Sequence, residues 1–194
     1  MNFRLTYDGP LKAASQSDTR RKLKHEMRCI FSRQLDRLYS VKDSSFLDVE
    51  FDQLRNGGGR WPITADRGDF TFFALVREKL NLVCDLDIQF LRRENPGNLV
   101  SGGGDLDNRL KVLFDALRVP QDDNEVRGFA ASETRILLCL VEDDRLITGF
   151  RVTTDRLLEP ATSEAEENHV RLIINVEVKA TKLTPENLAY FGHF

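Results

Sequence analysis

"LVCDLDIQFLRRENPGNLVSGGGDLDNRLKVLFDAL", residues 82–117, changes its hydrophobic period once, and that change decides the fold class. Leu82, Cys84, Leu86, Ile88 and Phe90 alternate with polar residues. This is the period-two signature of a strand with one buried face. A loop follows, holding Pro96, Gly97 and the run Gly102–Gly104. Then Leu106, Leu110, Leu113, Phe114 and Leu117 fall three and four apart, which predicts a helix over 106–117.

Outward from there the chain mixes the same two patterns. Upstream, Asp69–Val76 is rich in Phe and Val and predicts a strand, and Phe46–Leu54 predicts another. "RNGGGRWP" between them reads as a turn or irregular loop. A long helix is expected over Asp18–Ser40, with Leu23, Met27, Ile30, Phe31, Leu35 and Leu38 as its apolar stripe. Phe3–Tyr7 reads as a first strand stopped by "DGP". Downstream, "RILLCL" around Ile136 is an apolar run too short to type by period. Leu146–Val152 predicts a strand, and Val170, Leu172, Ile174, Val176 and Val178 predict a final one. Residues 159–168, "EPATSEAEEN", read as an acidic loop, and the tail "TPENLAYFGHF" as a short helix. Strands with few helices between them imply a single α+β domain over 1–194, with helices packed on one mixed or mostly antiparallel sheet.

The composition is that of a soluble globular chain: 194 residues, 41% hydrophobic and 30% charged. No apolar run approaches the ~20 residues that span a bilayer, so no membrane partner is expected. "MNFRLTYDGP" has no signal-like apolar region, which implies a cytoplasmic protein. Cys29, Cys84 and Cys139 form no CxxC pair and read as reduced thiols. The net charge of −3 gives no broad basic footprint for nucleic acid. The charge is uneven, however. From Asp18 to Lys42 there are eight Lys/Arg against three Asp/Glu; from Gln121 to Asp144 there are two against seven. Arg20, Arg21, Lys24, Arg28 and Arg37 lie largely off the helix's apolar stripe. They read as a solvated face, and the first four as candidate phosphate contacts as well.

Chemistry concentrates at "GDLDN". Asp107, Lys111 and Asp115 are four apart and line up on a face other than the apolar one. Asp105 stands just before, near the cap. The helix dipole favours an anion there by roughly 0.3–1 kcal/mol, so capping explains one aspartate and explains two less well. A divalent cation explains more. Mg²⁺ takes hard oxygen ligands, and the glycines before Asp105 permit the bend that two carboxylates would need. Lys111 is then placed to stabilise charge on a phosphoryl oxygen. On spacing alone, capping and metal binding both stand. Asp85 and Asp87 share the same spacing but sit mid-strand, and read as the polar face of a half-buried sheet. Asp143 and Asp144 stand just before a strand, where a ligand is held rigidly. Asp122 and Asp123 look like a turn.

Taken together, "GDLDNRLKVLFDAL" and the later "EDDRLITG" resemble the RusA-like Holliday junction resolvases. That family shows an aspartate-x-aspartate-asparagine motif, a lysine six residues after the first aspartate, a "DAL" segment, and a "DD" pair opening a strand. Here these are Asp105, Asp107, Asn108, Lys111, Asp115–Ala116–Leu117 and Asp143–Asp144. The pattern covers roughly residues 80–153. The resemblance implies a RusA-like domain with insertions near 43–68 and 119–142. It implies a Mg²⁺-dependent homodimeric endonuclease (Mn²⁺ a possible substitute) that cleaves branched DNA in recombination and repair. Asp105, Asp107 and Asp144 would be the metal-binding carboxylates and Lys111 the catalytic lysine, with Asn108 and Asp143 supporting. A two-fold dimer would nick two strands of a symmetric junction.

The chain departs from the family pattern in length and in having Gly102–Gly104 where arginines often precede the first aspartate. The longer spacing makes Asp123 a competitor of Asp144 as third ligand; the alternating strand after Asp144 favours Asp144. The acidic charge keeps two alternatives open: a Mg²⁺-dependent nuclease for flaps, forks or RNA, and a non-catalytic DNA-binding module on the same fold. His25, His169 and His193 show no ligand spacing and read as surface or incidental. Trp61, Phe70, Phe72 and Phe73 read as core or interface rather than base-stacking residues.

Overall fold

The computed structural model describes residues 1–11, 17–41, 64–93, 106–131, 135–158, 169–188 and 190–191. The expected strand at 46–54, the loop at 55–62 with Trp61, the glycine run with Asp105, the acidic loop at 159–168 and His193 lie outside them.

The described elements form an α+β domain of two sheets rather than one. The first sheet contains β1 (Asn2–Pro10), β4 (Leu82–Arg92), β6 (Ile147–Arg156) and β7 (His169–Ala180), in the order β1-β7-β4-β6. β7 is antiparallel to both β1 and β4, and β4 is parallel to β6. The second contains β2 (Thr64–Arg67), β3 (Phe70–Val76) and β5 (Ile136–Val141), with β3 antiparallel to β2 and parallel to β5. The helices are α1 (Ser17–Val41), α2 (Leu106–Leu117) and the single turn α3 (Pro185–Leu188).

The alternating sequences bury one face, as their period requires. Leu82, Cys84, Leu86, Ile88 and Phe90 of β4 enter the core with Val170, Leu172, Ile174, Val176 and Val178 of β7. In the second sheet β3 and β5 are buried on both faces, which is why their sequences did not alternate. Phe73 and Leu75 of β3, with Leu138 and Leu140 of β5, face the main core. Phe70, Phe72 and Ala74, with Leu137 and Cys139, face a smaller cluster with Val119 and Val126. "RILLCL" is therefore a parallel strand buried on both sides, and Val119 and Val126 from the stretch before it join the smaller cluster.

The strand at the N-terminus runs through the "DGP" that was expected to stop it. Gly9 and Pro10 pair with Val170 and His169. Gly9 is needed for space: a Cβ there would lie 2.8 Å from the Tyr7 hydroxyl, which folds over it to donate to the Pro10 carbonyl at 2.7 Å. Pro10 is tolerated because β1 is an edge strand. α1 packs on β5, β1 and α2, burying Leu23, Met27, Phe31 and Leu35. In the tail, the Asn187 amide donates to the Leu80 and Lys182 carbonyls, which fixes α3. Among the described residues no helix is long and apolar enough to cross a membrane.

Candidate functional site

α2 spans the expected residues, with Leu110, Leu113 and Leu117 buried and Leu106 and Phe114 partly buried. Arg109, Val112 and Ala116 are buried as well, so the helix has a wide buried side. Asp107 and Lys111 are exposed and Asn108 is half-buried. Asp107, Lys111 and Phe114 fall within one face of the helix by their spacing. Phe114 meets Phe150 of β6 edge-on, with ring centroids 5.3 Å apart. That face therefore looks towards the outer strand of the first sheet.

α2 also packs against the one-turn 3-10 segment Asp144–Leu146 that opens β6. Leu146 anchors this turn in the core, and the turn packs on β4 too. The Asp143 carboxylate accepts from the Arg145 amide at 3.0 Å and so caps the turn. Arg145 pairs with Glu78. Asp144 is exposed, and its carboxylate meets no described residue. Lys111 and Asp107 likewise make no ion pair with a described residue. The structure thus places the helix with Asp107, Asn108 and Lys111 against the turn with Asp143 and Asp144. Asp105 lies outside the described residues. Among the described residues no group of three or more His, Cys, Asp or Glu is placed to hold a metal ion.

Asp122 and Asp123 form a turn, as read. Asp122 caps the 3-10 segment Asp123–Glu125, and Asp123 accepts from the Gly68 amide at 3.1 Å. Asp123 is thus committed to holding the β2–β3 turn, while Asp144 is uncommitted. Asp85 is structural: it accepts from Lys179 at 2.5 Å and Thr148 at 2.8 Å, which hold its carboxyl below the usual carboxylate range. It sits over Gly149, where a Cβ would come within 3.0 Å of its oxygen. Asp85 and Asp87 also line a 740 Å³ hollow on the outer face of the first sheet, with Arg4, Arg151, Asn175 and Glu177.

Three expectations are corrected. Of the four candidate phosphate contacts on α1, Lys24 and Arg28 are internal. Arg28 is fully buried; it donates to the Asp115 carbonyl at 2.8 Å and meets Glu125 at 3.4 Å. Lys24 bonds the Asp115 carboxylate at 3.2 Å. Arg118 completes the cluster, 2.8 Å from Asp115 and 2.9 Å from Glu125. Burial works against the Arg118 charge, but the two carboxylates outweigh it and raise its pKa. This cluster ties α1 to the C-terminal end of α2, where cations suit the helix dipole. Arg20 and Arg21 stay half-exposed, and Arg21 pairs with Asp18. Second, Asp115 does not share a free face with Asp107 and Lys111, because it belongs to this cluster. The i, i+3 spacing of Asp115 and Arg118 was the signal for it.

Third, His25 is buried, not superficial. It stacks on Phe129 at 4.1 Å and touches Phe70 at 5.2 Å. Burial, with Arg28 adding repulsion, pushes its pKa down to about 4. The unfolded chain takes up this proton near pH 6.5 and the folded chain does not. The stability from neutral His25 is therefore present above pH 6.5 and lost as the pH falls towards 4. Urea unfolding at pH 7 and pH 4.5 should differ by about 2–3 kcal/mol more in the wild type than in His25→Phe. Equal pH dependence in the two proteins would refute the assignment. His169 bonds the Asp8 carboxylate, which Arg171 also engages at 2.7 Å. The three cysteines are free, and burial pushes the Cys84 and Cys139 thiols up to about 12.

Comparison of the chain with family models, with curated proteins and with solved structures finds no match.

Proposed function

We propose that the chain is a Mg²⁺-dependent endonuclease that cleaves phosphodiester bonds in branched DNA. The observation that carries this reading is the packing of α2 against the turn that opens β6. It sets a helix bearing Asp107 and Lys111 beside a turn bearing Asp144, with all three side chains exposed and free of ion pairs to described residues. Asp107 and Asp144 are open to solvent, whereas Asp85, Asp115, Asp123 and Asp143 are all engaged.

The donor set fits a hard divalent cation, which takes carboxylate oxygens and keeps several waters. Asp107 and Asp144, with Asp105 from the preceding loop, would hold it. Such an ion, when bound, polarises a phosphate and acidifies a water. Lys111, one turn beyond Asp107, would hold charge on a phosphoryl oxygen. Asn108, half-buried beside Asp107, would orient the first turn.

A second reading draws on Lys24 and Arg28. Their removal from the surface leaves less cation to neutralise the arms of a junction, and phosphate neutralisation supplies much of DNA affinity. A smaller footprint, such as a flap or fork, suits the remaining surface. The test is cleavage of end-labelled four-way junction, fork, flap and linear duplex, each with Mg²⁺ or EDTA. Metal-dependent nicks on the branched substrates alone are expected. Binding without nicks on any substrate would reject the enzyme reading, and equal cutting of linear duplex would reject the structure preference.

A further inference from the structure

Arg145 is the neighbour of Asp144, on the turn that packs against α2. Its backbone is fixed. The Asp143 carboxylate holds its amide at 3.0 Å, and the next residue, Leu146, is anchored in the core. Its side chain stands in solvent, 65% exposed. The guanidinium donates through Nη2 to the Glu78 carboxylate, and its Nε lies 3.8 Å from Asp143.

Glu78 is fixed in the same way. It opens the 3-10 turn Glu78–Leu80 after β3, and its amide donates to the Glu142 carboxylate at 3.1 Å. Its side chain is as exposed as that of Arg145. Two anchored turns thus present a long cation and a carboxylate to each other at the surface, beside Asp144. Such an exposed pair stabilises a fold little, because water screens it and two long side chains must be held still. The contact exchanges easily.

The chemistry of the two groups limits what replaces Glu78. A guanidinium takes a carboxylate and a phosphate through the same planar fork of N–H donors. Consecutive Cα atoms lie about 3.8 Å apart, a distance that an arginine side chain spans. An anion held by Arg145 is therefore next to whatever Asp144 holds.

We infer that Arg145 binds a phosphate of the nucleic-acid strand at the Asp107–Asp144 site, and that Glu78 is an internal competitor for it. The inference takes its ligand from the nuclease reading and adds an affinity control to it. With Glu78 in the fork, the incoming strand meets Glu142, Asp143 and Asp144 and gains no cation from Arg145. Once a phosphate displaces Glu78, the same guanidinium holds the strand beside the carboxylates.

The test measures binding of a labelled four-way junction in EDTA, where no cleavage competes, over a range of salt concentrations. Single-turnover cleavage in Mg²⁺ and thermal melts accompany it. Arg145→Met should weaken binding roughly tenfold and lower the salt slope by about one ion. Its Tm should stay that of the wild type, because the lost pair is exposed. Its cleavage should need more DNA to reach half-saturation and keep its saturated rate, since the contact acts on binding. Arg145→Lys should recover part of the affinity, having the charge without the fork. Glu78→Gln should tighten binding by up to about fivefold. In the Arg145→Met background the same Glu78→Gln change should tighten it no further.

An equal gain in both backgrounds would mean that Glu78 acts by general repulsion, and overturns the competitor role. Wild-type affinity and salt slope in Arg145→Met overturn the phosphate contact. If the wild type cleaves and Arg145→Met cleaves equally at every DNA concentration, this inference falls and the nuclease reading stands. If the binding pattern is as expected and no substrate is cut, the phosphate contact stands and the nuclease reading falls. A wild type that binds no junction overturns both.

Discussion

Asp107→Asn is expected to lower Mg²⁺-dependent nicking of a four-way junction by about 10³-fold or more, with little change in stability. The first part follows from losing a hard carboxylate from a cation site whose charge stabilisation is worth several kcal/mol. The second follows from exposure. Asp107 makes no ion pair with a described residue, and its favourable place in the first helical turn is worth roughly 0.3–1 kcal/mol. For a chain of 194 residues that is a fall in Tm of no more than about 2–4 °C. Asp144→Asn should behave like Asp107→Asn. Asp123→Asn should keep nearly full cleavage, because Asp123 serves the Gly68 turn instead. Single-turnover rates at saturating Mg²⁺, with thermal melts of the same samples, decide between these outcomes. A wild-type rate in Asp144→Asn together with a dead Asp123→Asn would move the third ligand to Asp123. Full cleavage in Asp107→Asn would dissolve the site.

The parts of this molecule that the sequence made legible are those where a local period meets a single buried face. β4, β7 and α2 each have one such face, and their bounds agree with the pattern to within a residue or two. The structural role of Asp85 was legible for the same reason, since a mid-strand polar position next to a buried one faces solvent. β5 was not legible, because a parallel strand covered on both sides has no period to show. The second sheet went unseen with it. The end of β1 was misread because Gly9 and Pro10 mark turns in most contexts; here Tyr7 occupies the space of a Cβ. The largest misreading concerned α1. Lys24 and Arg28 have the charge and spacing of a solvated face. Their partners Asp115 and Glu125 lie about ninety residues away, and no local pattern announces that they will meet. The same holds for His25, whose aromatic pocket is assembled from β3 and the stretch after α2. Of the candidate site, the residue types and their spacing were legible. The pairing of α2 with the Asp144 turn was a matter of tertiary packing.

That packing rests on the buried cluster, and Glu125→Ala is expected to destabilise the fold by about 3–5 kcal/mol. Glu125 meets Arg118 at 2.9 Å, Arg28 at 3.4 Å and Lys24 at 3.9 Å, and accepts from the Gln121 amide at 3.1 Å. Without it, Lys24 and Arg118 share the single Asp115 carboxylate, and the fully buried Arg28 is left with the Asp115 carbonyl. A buried charge stripped of its partner costs far more than the pair contributes when intact. At about 2–4 °C per kcal/mol, the melting temperature should fall by roughly 10 °C or more. Glu125→Gln keeps the hydrogen-bond acceptor and loses the charge, so it should fall between Ala and wild type. The double variant Arg118→Met/Glu125→Leu removes opposite charges together and should cost less than the sum of its singles. Because the cluster ties the C-terminal end of α2 to α1, partial cleavage defects should track the melting temperature in these variants and vanish on cooling. The Asp107→Asn defect should persist at every temperature. If Glu125→Ala costs less than about 1 kcal/mol, the cluster is solvated and α2 is held by its leucines alone.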